Sequence, residues 1–211
     1  MSSIKRGTWT NWAGNQSSRP QWINEPAGES DVADIVARAA KSQRTVKAVG
    51  AGHSFTSTAL TSGHLINMGH LNKIVHVDRE NNQVTVEAGI HISELNEQLF
   101  ELGYAMPNLG DIAYQTISGA ISTSTHGTGS RLTGIAGQVA GLRLVNGHGE
   151  VIDINAQQNP ELLDVARVGV GALGILTQVT LNVVPAFRLK AIEGAQKLDA
   201  LKDTPFLRTA K

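Results

Sequence analysis

The chain has 211 residues, enough for a sizeable core in one large domain or two small ones. Lys plus Arg and Asp plus Glu number 18 each, so there is no basic field to recruit nucleic acid or an anionic membrane surface. Cysteine is absent, which excludes a disulfide framework, a thiolate metal site and a cysteine nucleophile, and fits a reducing cytoplasm.

The N-terminal stretch MSSIKRGTWTNWAGNQ carries no apolar targeting core, and no later run has the length of a membrane span. The first element expected is a helix in ESDVADIVARAAKSQ. There Val32, Ile35, Val36, Ala39 and Ala40 share one face, Ser30 is placed to cap it, and Asp31 lies in its first turn. RTVKAV reads as a strand that runs into the glycine turn VGAGHSF. HLINM, KIVHVD and QVTVEA read as three further strands, the last two joined by the turn-rich RENN. A second helix is expected to start at Ser93, carry Leu95, Leu99 and Leu102, and stop at Gly103.

After YAMPNLGD the texture changes. TISGAISTSTHGTGS is nearly all small or hydroxylated residues and suits neither a strand nor a helix interior. VAGLRLVNGHGEVIDI reads as a hairpin around NGHG. Asn159-Pro160 opens a helix through ELLDVARV, and GVGALGILTQVTLNVV is a glycine turn into a long strand closed by Pro185. The fold class expected is α+β in two subdomains, 1–105 and 106–187. Residues 188–211 are expected to be a tail leading to a further domain that is absent or truncated.

Two repeating patterns raise chemistry that the spacing does not support. GVGALG at 169–174 has the G-x-G-x-x-G spacing of a dinucleotide fingerprint, but that fingerprint needs a strand before it and a helix after it. Here the order is reversed, so a tight helix-to-strand turn is the better reading. His64, His70 and His76 are evenly spaced but fall on separate strands and turns with no paired carboxylate, so no metal is expected.

VGAGHSFTS and TISGAISTSTHGTG are harder to explain as turns alone. The first offers successive backbone N–H groups in a turn that only small residues can make, which is what an anion nest needs. The second adds the hydroxyls of Thr116, Ser118, Ser122, Thr123, Ser124 and Thr125. Neither loop carries the lysine that neutralises a triphosphate. Together they suit the diphosphate in the middle of a long cofactor.

VGAGHSF, then LGD ahead of TISGAISTSTHGTG, then GALGI resemble, in order and spacing, the FAD-binding domain of the vanillyl-alcohol oxidase and p-cresol methylhydroxylase superfamily. The likeness covers about residues 8–190. TWTNWAGN followed by RP is similar to the aldonolactone oxidase branch (L-gulono-1,4-lactone and D-arabinono-1,4-lactone oxidases), with alditol oxidases next.

The resemblance implies a p-cresol methylhydroxylase-type fold that holds FAD between two subdomains. It makes Gly50, Ala51, Gly52, Ser54 and Phe55 the pyrophosphate loop and His53 the point of covalent attachment to the flavin 8α-methyl. Gly110, Asp111, Thr116, Ser118, Gly119, Thr123, Ser124, Thr125 and His126 become contacts to flavin or diphosphate, with Ile175 on the adenine or ribitol side. Glycine at position 110 tends to mark oxidases and alanine dehydrogenases, so oxygen is the acceptor implied.

The function implied is oxidation of a sugar-derived 1,4-lactone, with O2 reduced to H2O2. The alternatives are an alditol oxidase, or a FAD-binding module without turnover because the cap domain is missing. No general base is evident. His126 and Glu87 are available, but they read as a flavin-side residue and a strand residue, and the base is expected in the cap domain.

Overall fold

A computed structural model describes residues 3–190 together with 194, 195, 197 and 199. In chain order the strands and helices are β1 (Ser3–Lys5), β2 (Trp9–Thr10), β3 (Ser17–Ser18), β4 (Trp22–Glu25), α1 (Glu29–Lys41), β5 (Val46–Val49), β6 (His64–Asn67), β7 (Ile74–Asp78) and β8 (Gln83–Glu87). Then come α2 (Ile92–Glu101), β9 (Tyr104–Ala105), α3 (Ile117–Ser122), β10 (Val139–Val145), β11 (Val151–Asn155), α4 (Pro160–Arg167), β12 (Ile175–Asn182) and β13 (Val184–Pro185). Helices and mixed sheets make this an α+β chain. Among the described residues no helix is long and apolar enough to cross a membrane.

Two sheets organise the molecule. The first runs β1-β4-β6-β5, with β4, β6 and β5 parallel and β1 antiparallel at the edge. The second runs β11-β10-β12-β8-β7 and is antiparallel throughout. Parallel strands need a crossover: α1 carries the chain from β4 past the place of β6 to β5, and residues 50–63 return it to β6 between them. The division expected near residue 105 is not the line along which the sheets part. β7 and β8, at 74–87, join the second sheet because Gln83–Glu87 pairs with Gln178–Asn182, so the sheets divide after Asn67. Of the expected tail, 188–190 is irregular, and most of 191–211 lies outside the described residues.

α1 lies between the sheets. Val32, Ile35 and Val36 bury against Ile66 and Met68 beside the first sheet and against Val145 and Ile175 of the second. Its Glu29 carboxylate accepts from Arg143 Nε at 3.0 Å and from the buried Thr177 hydroxyl at 2.6 Å. The cap is Gly28 rather than Ser30, which falls inside the first turn. Asp31 reaches back from that turn to accept from the Ala27 N–H, outside the helix, at 3.0 Å.

The second sheet is apolar on one side and polar on the other. Val84, Val86, Val179 and Leu181 join α2, α3 and α4 in the main core. Cross-strand polar pairs hold the other side: Thr85 with Thr180 at 2.9 Å and Gln83 with Asn182 at 3.0 Å. In the first sheet His64 is buried and stacked on Trp22, with ring centroids 4.4 Å apart. Burial, and then the nearby Arg38 and Arg44 charges, hold its pKa below the ordinary 6.5.

Candidate functional site

β5 is the central cause of the site. It runs parallel to β6 and ends at Val49, where the chain must leave the sheet edge. Gly50 to Ser54 then turn over the top of it, with Gly52 at φ +70°, a backbone conformation glycine adopts without strain. These residues line an open cleft.

Three segments far apart in sequence line that cleft: Val46–Ser54, the stretch Gln115–Thr123 around α3, and Val170–Leu176. The site residues Gly50, Ala51, Gly52, His53, Ser54, Thr116, Ser118, Gly119, Thr123 and Ile175 are thus brought to one place. The 169–174 glycine turn also faces the cleft. It follows α4 and precedes β12, in the helix-to-strand order its sequence implied, and Gly174 sits at φ +152° against the Val145 carbonyl.

The hydroxyl-rich stretch departs from expectation, because Ile117–Ser122 is helical. Its small residues let it pack closely. Ile117, Ala120 and Ile121 are buried, and the Thr116 hydroxyl caps the helix by accepting from the Gly119 N–H at 3.3 Å. Thr116 also meets Gly50: a β-carbon on that glycine would fall on the threonine hydroxyl. The two loops therefore touch where both line the cleft.

Phe55, Gly110, Asp111, Ser124, Thr125 and His126 do not line the cleft. Gly110 lies against Thr125 and His126; a β-carbon there would come within 3.0 Å of Thr125 Cγ2 and 3.4 Å of the His126 carbonyl. Gln115 joins this second cluster to the cleft, since it lines the cleft and donates from Nε2 to Thr125 Oγ1 at 3.2 Å. Its Oε1 is buried without a protein partner. His126 Nδ1 is 2.9 Å from the Gly127 carbonyl, and Asp111 and Ser124 are exposed. Glu87 is engaged elsewhere, accepting from the Lys73 N–H at 2.9 Å.

Sequence reasoning missed the turn at residues 11–16, which grips the glycine loop from outside. The Trp12 N–H donates to the Gly52 carbonyl at 2.9 Å, Asn11 Nδ2 to the Ser54 carbonyl at 2.9 Å, and Asn15 Nδ2 to the Phe55 carbonyl at 3.1 Å. The Trp12 indole stacks on the His53 imidazole with centroids 5.1 Å apart and planes 26° from parallel. The signal for this contact was the asparagine pair around an exposed Trp in TNWAGN. Lys47, Thr58, Ala59 and Met68 also line the cleft and were not anticipated. Among the described residues no group of three His, Asp or Glu converges as metal ligands would.

A large cofactor with a diphosphate fits what is present. The glycine loop closes over the cleft, hydroxyls and backbone line its other wall, and the unpartnered Gln115 Oε1 asks for a donor. Comparison with known proteins points the same way. Residues 20–155 match the family described as FAD binding domain. The chain is 42% identical over 181 residues to L-gulono-1,4-lactone dehydrogenase of Mycobacterium tuberculosis, covering 86% of this chain and 42% of that protein. It is 38% identical over 179 residues to L-gulonolactone oxidase of Mus musculus, covering 85% and 41%. To D-arabinono-1,4-lactone oxidase of Kluyveromyces lactis it is 38% identical over 188 residues, covering 87% and 36%. The chain spans about two fifths of the length of the curated relatives it matches.

Proposed function

Because the chain belongs to the FAD-binding domain family and FAD is its cofactor, we propose that it is the cofactor-holding part of an aldonolactone oxidase of p-cresol methylhydroxylase type, with FAD seated between two subdomains. The observation that carries this reading is the convergence of the glycine loop, the Thr116–Thr123 segment and the 170–176 turn on one cleft. The names of its relatives supply the substrate class, a sugar-derived 1,4-lactone. A cysteine-free composition suits a reducing cytoplasm.

In this reading Gly50, Ala51, Gly52 and Ser54 present backbone donors to the diphosphate. Thr116, Ser118, Gly119 and Thr123 face it from α3, and Ile175 closes the adenine or ribitol side. Phe55 continues the diphosphate loop, and Gly110, Asp111, Ser124, Thr125 and His126 border the flavin end. Bound FAD supplies the redox chemistry, taking hydride from the lactone carbinol carbon and passing two electrons to O2 to give H2O2. Among relatives named both dehydrogenase and oxidase, Gly110 favours the oxidase, because a missing methyl leaves room for a molecule as small as O2. The general base is assigned to a substrate domain.

His53 is proposed as the covalent tether. One bond forms between an imidazole nitrogen and the flavin 8α-methyl carbon. That nitrogen and that carbon each give up a proton, and the two electrons released reduce O2 to H2O2.

The test is the visible spectrum of the purified chain followed by acid precipitation. Yellow colour retained in the pellet, with flavin on a peptide containing His53, supports both FAD binding and the tether. A yellow supernatant removes the tether and leaves bound FAD. A colourless protein that takes up no added FAD overturns the proposal for this chain.

A further inference from the structure

Trp12 is an unusual tryptophan for a surface turn. It is 68% exposed, where a large apolar side chain ordinarily finds cover, yet its backbone is fixed to the glycine loop by the bond to the Gly52 carbonyl. The turn that carries it is closed without the indole. Asn11, 4% exposed, accepts at its Oδ1 from the Gln16 N–H at 3.0 Å and donates from Nδ2 to Asn15 Oδ1 at 2.7 Å. The Gly14 N–H bonds back to the Asn11 carbonyl at 3.0 Å, with Gly14 at φ +73°. The shape of the turn therefore comes from Asn11 and Gly14, and the Trp12 side chain is free for another task.

His53 presents the complementary problem. It sits at the tip of a glycine loop and lines the cleft. Among the described residues neither of its ring nitrogens has a hydrogen-bond partner. No polar contact sets the plane of its imidazole, and the ring against it is that of Trp12. A nucleophilic imidazole nitrogen carries its lone pair in the ring plane, so the plane decides which way the nitrogen can react. Phe55 lies edge-on to the same indole, with ring centroids 6.5 Å apart.

We infer that Trp12 is a positioning residue for His53: the indole face fixes the imidazole plane so that a ring nitrogen points toward the flavin end of the cleft. This rests on the reading of His53 as the tether. The indole does not touch the reacting atoms; it removes the rotational freedom that would otherwise have to be lost each time the nitrogen meets the methyl carbon. A misplacement of about 1 Å at a reacting centre slows chemistry on the order of a hundredfold. A loosened His53 is expected to react about ten- to a hundredfold more slowly, while FAD affinity, set by the loop backbone and α3, changes little.

The experiment uses the full chain purified free of flavin, its Trp12→Ala and Trp12→Phe variants, and FAD as the added probe. Three quantities are followed: the rate at which acid-stable flavin appears, the Kd for FAD in a His53→Ala background, and the proton shifts of the His53 ring by NMR. In the parent chain the stacked indole displaces the His53 ring protons upfield. In Trp12→Ala that displacement disappears, acid-stable flavin forms at least about tenfold more slowly, and Kd stays within about threefold. Trp12→Phe restores most of the rate, because a second flat ring can take the same place.

The inference is overturned by acid-stable flavin forming in Trp12→Ala at the parent rate, or by a loss of FAD affinity as large as the loss of rate. Unchanged ring shifts in Trp12→Ala overturn it as well. Failure of the underlying reading looks different, since the parent chain then yields only acid-labile flavin before any variant is compared, and the inference falls with it.

Discussion

Gly50 is set against Thr116 so closely that its α-carbon has no room for a side chain: a β-carbon there would fall on the threonine hydroxyl and lie 3.1 Å from both its Cβ and its Cγ2. The contact joins the loop after the first sheet to the cap of a helix that packs on the second. Gly50→Ala is expected to destabilise the chain by about 1–3 kcal/mol, the usual effect of overpacking, and to lower FAD affinity. Thr116→Ala alone loses the cap bond to Gly119, roughly 1 kcal/mol. In urea titrations the double variant should be less destabilised than the two singles together, because the second truncation relieves the clash of the first. Simple additivity would separate the two positions.

His53→Ala should abolish acid-stable flavin while leaving reversible FAD binding, since the remainder of the loop contributes backbone groups. Colour in the acid supernatant but not the pellet is the expected readout. Acid-stable flavin on the variant would assign the tether to another residue.

Gly110→Ala tests oxygen access. The new methyl points at Thr125 Cγ2, 3.0 Å away, and at the His126 carbonyl, so it narrows the gap between two adjacent segments rather than blocking the diphosphate loop. Flavin bound to the chain can be reduced chemically and mixed with air-saturated buffer in a stopped-flow instrument. Reoxidation is expected to slow about tenfold or more, with FAD affinity within about threefold of the parent, as a local steric barrier requires. A loss of affinity equal to the loss of rate would mean that the methyl distorts the site instead.

Acid stability should show two separate windows. Burial, then Arg38 and Arg44, hold the His64 pKa below 6.5. As pH falls below that value the unfolded chain takes up a proton that the folded chain resists, so stability falls with pH until His64 itself is protonated. Asp78 behaves differently. Its carboxylate accepts from the Asn81 side chain and from the Asn81 and Glu80 N–H groups, which lower its pKa from 3.8, so its contribution is lost only in stronger acid. His64→Phe keeps a ring against Trp22 and removes the proton. Its melting temperature should be flat where that of the parent begins to fall below pH 6.5. A parent-like decline in the variant would locate the acid sensitivity elsewhere.

Much of this was legible in the sequence where periodicity and turn chemistry act locally. Val32, Ile35 and Val36 gave α1, the glycines around His53 gave a turn that lines a cleft, and the order of α4, GVGALG and β12 ruled out a dinucleotide fingerprint. The failures are non-local. The stretch 117–122 has poor helix propensity, but small residues let it pack into the core and Thr116 caps it, so tertiary contact outweighs propensity. That the sheets part after Asn67 could not be read locally, because β8 finds its partner in β12, which no local pattern announces. Trp12 escaped notice because its stack on His53 joins residues from two separate turns.

That late partner of β8 has a consequence for how the chain is made. Thr85 and its hydrogen-bonded mate Thr180 are 95 residues apart. A ribosome adding about 5–20 residues per second emits the β7–β8 hairpin on the order of ten seconds before β12 exists. Through that interval Val84 and Val86, wholly buried at the end, have β7 on one side and no strand on the other. The nascent chain therefore passes through a vulnerable stage with an open sheet edge, in which chaperones and premature self-association compete for the hairpin until Ile175–Asn182 emerges and closes it.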